Sequence, residues 1–152
     1  MSALLDPHSL SDLEIFARTL WGEARGEDCI GRHMVANVIM NRVNADLGHD
    51  GKPDWWGEDI KGVCLKIYQF SCWLPADPNR IKLLTVTTAD PVFRECLEIA
   101  EAAIAGRLED LTRGSTHYAN VVLLTKLGTL PAWATHVNWR VRHGHHDFFL
   151  VP

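Results

Sequence analysis

Leu13-Glu14-Ile15-Phe16-Ala17-Arg18-Thr19-Leu20-Trp21-Gly22-Glu23-Ala24 decides the reading of this chain. Leu13, Phe16, Ala17, Leu20 and Ala24 fall three and four apart, which lines one apolar stripe along a helix expected over about Asp12 to Ala24. Ser11 with Glu14 three residues on is the pattern in which a hydroxyl and a carboxylate reciprocally satisfy free amide donors at a helix start. Beyond the stripe come Arg25-Gly26-Glu27-Asp28. Gly22 and Gly26 weaken helix and let backbone turn or approach a ligand closely, so carboxylates cluster where the helix ends.

Working outward, Ile30 to Val43 predicts a second helix, apolar around much of its circumference through Met34, Val38 and Val43 with Ala36, Ile39 and Met40, and therefore a core helix. Asn44 to Glu58 is polar, contains Pro53 and predicts a surface loop carrying Trp55 and Trp56. A short helix is expected over Ile60 to Tyr68, then an irregular stretch through Pro75 and Pro78. A long helix should open at Pro91, continue to Ala105 and stop at Gly106. From Leu111 onward, short Thr, Val and aromatic runs broken by Gly114, Gly128, Pro131 and Gly144 predict loops, short strands or a small hairpin. No repeat or linker appears in residues 1–152, so the expectation is one mainly α (α+β) domain with an irregular or β-hairpin C-terminal third.

A chain of 152 residues with 47% hydrophobic content is long enough for one buried core. A formal charge of −4 argues against a dedicated nucleic-acid binder, which shows a basic face. No run approaches the ~18 apolar residues of a membrane span, and Met1 to Asp12 lacks the basic start and apolar core of a signal peptide. Cys29, Cys64, Cys72 and Cys96 form no CxxC pair, so buried thiols are expected rather than a zinc or redox motif; a Cys64–Cys72 bridge would need an oxidising compartment.

For chemistry, Glu23 stands beside Trp21 at the end of an apolar helix. Removing a carboxylate from water penalises its charged form and raises its pKa, so that it can hold a proton near neutrality and deliver it to a leaving oxygen. Glycosidic cleavage needs such an acid. Glu27 would lie one turn away if helix continued through Gly26. It is open to three readings: a second catalytic carboxylate, a like charge keeping Glu23 protonated, or a salt-bridge partner holding Arg25.

The string Leu20-Trp21-Gly22-Glu23-Ala24-Arg25-Gly26-Glu27, then Val35-Ala36-Asn37-Val38-Ile39-Met40-Asn41-Arg42-Val43, Gln69-Phe70-Ser71, Thr116-His117-Tyr118, Pro131-Ala132-Trp133 and Gly144-His145-His146-Asp147-Phe148-Phe149 together resemble the SleB-type cell-wall hydrolases, among them spore-cortex-lytic enzymes and phage-borne lysins. The resemblance spans about residues 13 to 149. It implies a lysozyme-like α fold with one catalytic glutamate, corresponding to Glu23, and lytic transglycosylase chemistry on the MurNAc-GlcNAc backbone of peptidoglycan. No enzyme nucleophile, metal or organic cofactor is implied. Glu27 and Arg25 are expected to support the acid. Trp21, Gln69, Ser71, Thr116, His117, Tyr118 and Trp133 are expected at the substrate, with glycan strands as the partner of a monomer.

Three rival readings have their own residues. His143, His145, His146 and Asp147 suggest a zinc-dependent peptidoglycan amidase, but the adjacent His145 and His146 would face opposite sides of a strand and no His-Glu-x-x-His string is present. A non-catalytic wall-binding or assembly module would keep the cleft without the acid. A nucleophilic thiol would pair Cys29 with His33. The lack of a signal-like start gives the expectation of an enzyme made in the cytoplasm and acting on the wall after release, as in phage lysis.

Overall fold

Helix α1 (Asp12–Ala24) is the axis against which most other helices of the computed structural model pack; the structure describes residues 6–45, 59–66 and 70–151. Its stripe is buried as the spacing predicts, with Ile15, Phe16, Ala17 and Leu20 wholly inaccessible. Ser11 caps it by accepting the Glu14 N–H at 3.2 Å. The reciprocal half of the capping pattern is not formed. The Glu14 carboxylate turns instead to Arg18 Nε at 2.9 Å, because the buried Arg18 lies on the Phe93 ring, donates to the Leu83 and Val86 carbonyls, and needs a counter-charge.

Helix α2 (Cys29–Asn44) starts at Asp28, whose side chain accepts the Gly31 N–H. Its all-round apolar character has a simple cause: Val35, Ala36 and Ile39 pack into the helical core, while Met34 and Val38 pack on Phe148 of the C-terminal sheet. Helix α3 (Ile60–Leu65) and a 3-10 turn (Ser71–Trp73) follow; Trp55, Trp56 and Gln69 lie outside the described residues. Helix α4 (Pro78–Thr85) occupies sequence expected to be irregular. Pro78 sits in its first turn, Asp77 caps it, and burial of Leu83 and Leu84 supplies what a short run of modest propensity lacks. Helix α5 (Pro91–Ile104) ends where expected, with Gly106 at φ 74.

The last third holds β1 (His117–Ala119), helix α6 (Val121–Leu127), β2 (Trp139–His143) and β3 (His146–Phe149), in an antiparallel sheet of order β1-β3-β2. Helix α6 corrects an expectation of strand or loop. Asn120 caps its first turn and Gly128 at φ 70 closes its last.

Register decides what the sheet presents. Tyr118 pairs with Phe148 and Val141 with Phe148, whereas Trp139 pairs with Phe149 and Arg142 with Asp147. A bulge between Trp139 and Val141 shifts the alternation, so Trp139 and Arg142, three residues apart, share a face. One face thus carries Tyr118, Val141, His146 and Phe148 toward α2. The other carries His117, Trp139, Arg142, Asp147 and Phe149.

Candidate active site

Glu23 lies in the last turn of α1, one residue after Gly22, and Gly22 is required there. A Cβ on it would stand 2.9 Å from Cys72 Sγ and 3.0 Å from Leu83 Cδ2. The missing side chain lets the Ser71–Trp73 turn close on α1, where Trp73 Nε1 donates to Thr19 Oγ1 at 2.8 Å. Cys72 is thereby set against the Glu23 carboxyl.

Burial pushes the Glu23 pKa above its ordinary value, opposed by hydrogen bonding from the Cys72 thiol and amide; the charge of Asp77 adds to the rise and that of Arg42 works against it. Glu23 Oε1 is buried and has no hydrogen-bond partner among the described residues. A proton held there has no acceptor among the described residues. Tyr118 joins the same group: burial first and the Glu23 charge second hold its hydroxyl well above the ordinary tyrosine range, so it remains a neutral donor. Arg42, 8% exposed, donates from Nε to the Thr116 carbonyl at 2.6 Å and lies over the Phe70 ring.

The helix that carries Arg42 also fixes the loop leading into β1. Asn37 Nδ2 donates to the Glu109 carbonyl and its Oδ1 accepts the Leu111 N–H; Asn41 Nδ2 reaches Asp110, Thr112 and the Ser115 carbonyl. The Asn37, Asn41 and Arg42 side chains therefore deliver Tyr118 to Glu23.

Glu27 has a different setting from any expected. The helix stops at Ala24, so Glu27 is not stacked one turn from Glu23, and the carboxylate acting on Glu23 is Asp77. Glu27 instead lies between two imidazoles of the β2–β3 hairpin, with Oε2 3.1 Å from His145 Nδ1 and Oε1 3.1 Å from His146 Nδ1. The latter contact is an ion-pair distance without hydrogen-bond geometry. His145 occupies the turn, so the opposite-face expectation for these two histidines does not hold. His143 Nε2 meets Asp28 Oδ1 at 2.8 Å on the same side. His146 also packs edge-on against Tyr118 at 4.9 Å between centroids, and burial lowers its pKa against the pull of Glu27.

Arg25 does not pair with Glu27. It lies on the Trp21 ring at 4.4 Å and donates to Asn79 Oδ1 and to the Trp21 and Gly22 carbonyls, tying the end of α1 to α4. Arg32 donates to the Ala24, Arg25 and Glu27 carbonyls and pairs with Glu95, which closes the C-terminus of α1.

The remaining expected substrate residues are divided. Trp21 is 8% exposed and belongs to the core, its Nε1 without a partner among the described residues. Ser71 is exposed at the turn beside Cys72. Thr116 is buried, its hydroxyl engaged with the Val151 N–H and His117 Nδ1. His117 and Trp133 meet at 4.7 Å between ring centroids with their planes tilted by 57°, on the sheet face opposite Tyr118. Burial and then the Arg42 charge bring the His117 pKa down to about 4. Cys72, Asp77 and Arg42 around the acid were not singled out by sequence reasoning as site residues, and His146, which packs on Tyr118, was weighed only as a metal ligand. Only the Asn-Arg-Val string and the Gly-His-His-Asp-Phe close pointed near any of them.

The thiols at the ends of α3 and in the 3-10 turn, Cys64 and Cys72, are free and buried, as is Cys96; Cys29 is exposed, contrary to expectation. His33 Nε2 is engaged by the Glu109 carbonyl at 2.6 Å rather than by Cys29. Among the described residues, no group of three His, Cys, Asp or Glu side chains converges as metal ligands.

A helical core thus presents a desolvated glutamate, Glu23, to a small antiparallel sheet. Residues 26–149 match the family described as Cell Wall Hydrolase, and the chain belongs to that family, in its SleB-type branch. The matched span begins three residues after Glu23. The chain is 27% identical over 115 residues to the spore cortex-lytic enzyme of Halalkalibacterium halodurans, covering 74% of this chain and 28% of that protein. It therefore spans little over a quarter of that relative's length. The catalytic domain of the germination-specific lytic transglycosylase SleB from Bacillus anthracis superposes with a TM-score of 0.60 at 26% identity, covering 95% of this chain and 99% of that domain. The mainly helical fold with its small C-terminal sheet is thus a lysozyme-like one.

Proposed function

We propose that this domain cleaves the MurNAc-GlcNAc bond of peptidoglycan as a lytic transglycosylase, with Glu23 as its acid. The observation that carries the reading is the Glu23 carboxyl itself, desolvated and with Oε1 unpartnered among the described residues. Similarity to a spore cortex-lytic enzyme and to a lytic transglycosylase domain supports the substrate class.

In this mechanism Glu23 gives its proton to the bridging oxygen as the glycosidic bond breaks. The primary hydroxyl of the muramic acid then bonds to the anomeric carbon, and its proton returns to the Glu23 carboxylate. Neither water nor an enzyme nucleophile is consumed. Arg42 and the Cys72 donors favour the carboxylate formed halfway through, while burial and Asp77 favour the acid that starts and ends the cycle. In this reading the neutral Tyr118 hydroxyl donates to a sugar oxygen beside the acid. Glu27 and Arg25 support the site by holding the hairpin and the end of α1, and the exposed Ser71 is proposed as a hydrogen-bonding group for the glycan, as Gln69 is from its sequence string alone.

Mass spectrometry of digested sacculi tests the chemistry: an anhydro-muramic product, lighter by one water than the hydrolytic one, is expected, and a hydrated product would refute transglycosylation. Glu23→Gln should cost roughly 10²-fold or more in turnover with the fold intact; undiminished turnover would remove Glu23 from the mechanism. Release during phage lysis is part of the proposal, supported by the resemblance to phage-borne lysins; a genomic neighbourhood free of phage genes would count against it. No helix among the described residues is long and apolar enough to cross a membrane.

A further inference from the structure

The sheet face turned away from Glu23 carries a groove of about 460 Å³ lined by Val121, Ala134, Thr135, His136, Trp139, Arg142, Asp147 and Phe149. Its composition follows from the β2 bulge. Without that extra residue Trp139 and Arg142 would point to opposite sides; with it, both stand beside Asp147 and Phe149.

Trp139 is 41% exposed, and its Nε1 donates to Asp147 Oδ1 at 2.9 Å, which fixes the orientation of the indole. That bond also occupies the groove's one carboxylate, which is buried. Arg142 and His136 are exposed and have no ion-pair partner among the described residues. In a chain of net charge −4, an apolar channel with an orienting indole and an uncommitted guanidinium is complementary to an anionic, partly apolar chain.

The groove is joined to the catalytic side by a short chain of rings. Phe149 meets Trp133 at 5.4 Å, Trp133 meets His117 at 4.7 Å, and the next residue after His117 is Tyr118, beside Glu23. Only one sheet layer separates the two faces, and a four-residue peptide extends ~13 Å, enough to pass around its edge.

We infer that this outer groove binds the carboxylate-bearing peptide stem of the strand whose glycan lies against Glu23, with Arg142 pairing to a stem carboxylate and Trp139 covering its aliphatic part. The inference rests on the proposed peptidoglycan activity. It assigns the enzyme a peptide-reading subsite separate from its sugar cleft.

Turnover of the intact domain is measured on peptide-bearing strands and on strands stripped of peptide by an amidase, for wild type, Arg142→Ala and Glu23→Gln. Arg142→Ala should raise KM on peptide-bearing strands roughly tenfold, leave kcat unchanged, and act like wild type on stripped strands. Equal behaviour of Arg142→Ala and wild type on both substrates would overturn the inference. Independently, a free stem tetrapeptide should shift the Trp139 indole N–H resonance in wild type and in Glu23→Gln, and far less in Arg142→Ala; an unmoved resonance in wild type would also overturn it. If Glu23→Gln retained turnover, the catalytic reading would fail, and the peptide titration would still decide the groove.

Discussion

The two parts that meet at Glu23 are held by different forces. The helical part is closed by apolar burial: Phe16, Leu20, Val35, Ile39, Leu83 and Phe93 are almost fully inaccessible. The sheet has a small apolar cluster of its own, Met34, Val38 and Phe148, and is otherwise fastened by polar ties from α2 and from the α1–α2 turn. Apolar packing holds the acid in a dry place with little dependence on pH. Polar ties set Tyr118 and the hairpin to a defined position against it and respond to charge.

Breaking the helical part should have the largest effect. Leu20→Ala removes a fully buried side chain from α1. It should cost about 2–5 kcal/mol in denaturant unfolding, and a loss under 1 kcal/mol would deny α1 its central place. Arg42→Met strikes the other part: it leaves the buried Thr116 carbonyl without its Nε donor. A stability loss of about 1–3 kcal/mol is expected, together with a fall in kcat that Leu20→Ala does not produce at temperatures where it remains folded.

Acid separates the two parts more gently. His117 and His146 both have pKa values lowered by burial, so the unfolded chain binds more protons than the folded one as pH falls below the ordinary value of 6.5. Their contribution to stability is complete above 6.5 and is lost on acidification, for His117 down to about 4. Melting temperature should fall across that window, and His117→Gln should flatten the fall. The smallest effect is expected from Glu27→Gln, which weakens the contacts to His145 and His146. Stability should change by under ~1 kcal/mol, while hydrogen exchange of β2 and β3 amides accelerates ahead of that of α1.

Legibility in the sequence followed the same division. Helices α1, α2 and α5 were readable because apolar periodicity, Ser11 as a cap, Pro91 and Gly106 all reported the same thing. Helices α4 and α6 were not: eight and seven residues long, each rests on a capping side chain and on neighbours that periodicity does not show. Glu23 was legible from its string. Its surroundings were legible only through the Tyr118 string, since Cys72 and Asp77 reach it through tertiary packing from 49 and 54 residues away. Glu27 was open to three readings, and its place between His145 and His146 depends on the β2–β3 hairpin meeting the α1–α2 turn, which no local spacing shows. Trp139 and Arg142 escaped notice because a bulge cannot be seen in an alternating pattern.

Glu23 holds its proton to higher pH than an ordinary glutamate, and a carbon-13 NMR titration of its carboxyl group reads that directly. The account predicts a midpoint above the ordinary glutamate value of 4.5. A carboxyl with a raised folded pKa contributes stability that is complete below 4.5 and is lost as pH rises through that midpoint, so Glu23→Gln should be more stable than wild type at neutral pH. A Glu23 that titrates at or below 4.5, with no such gain in the glutamine variant, would contradict it.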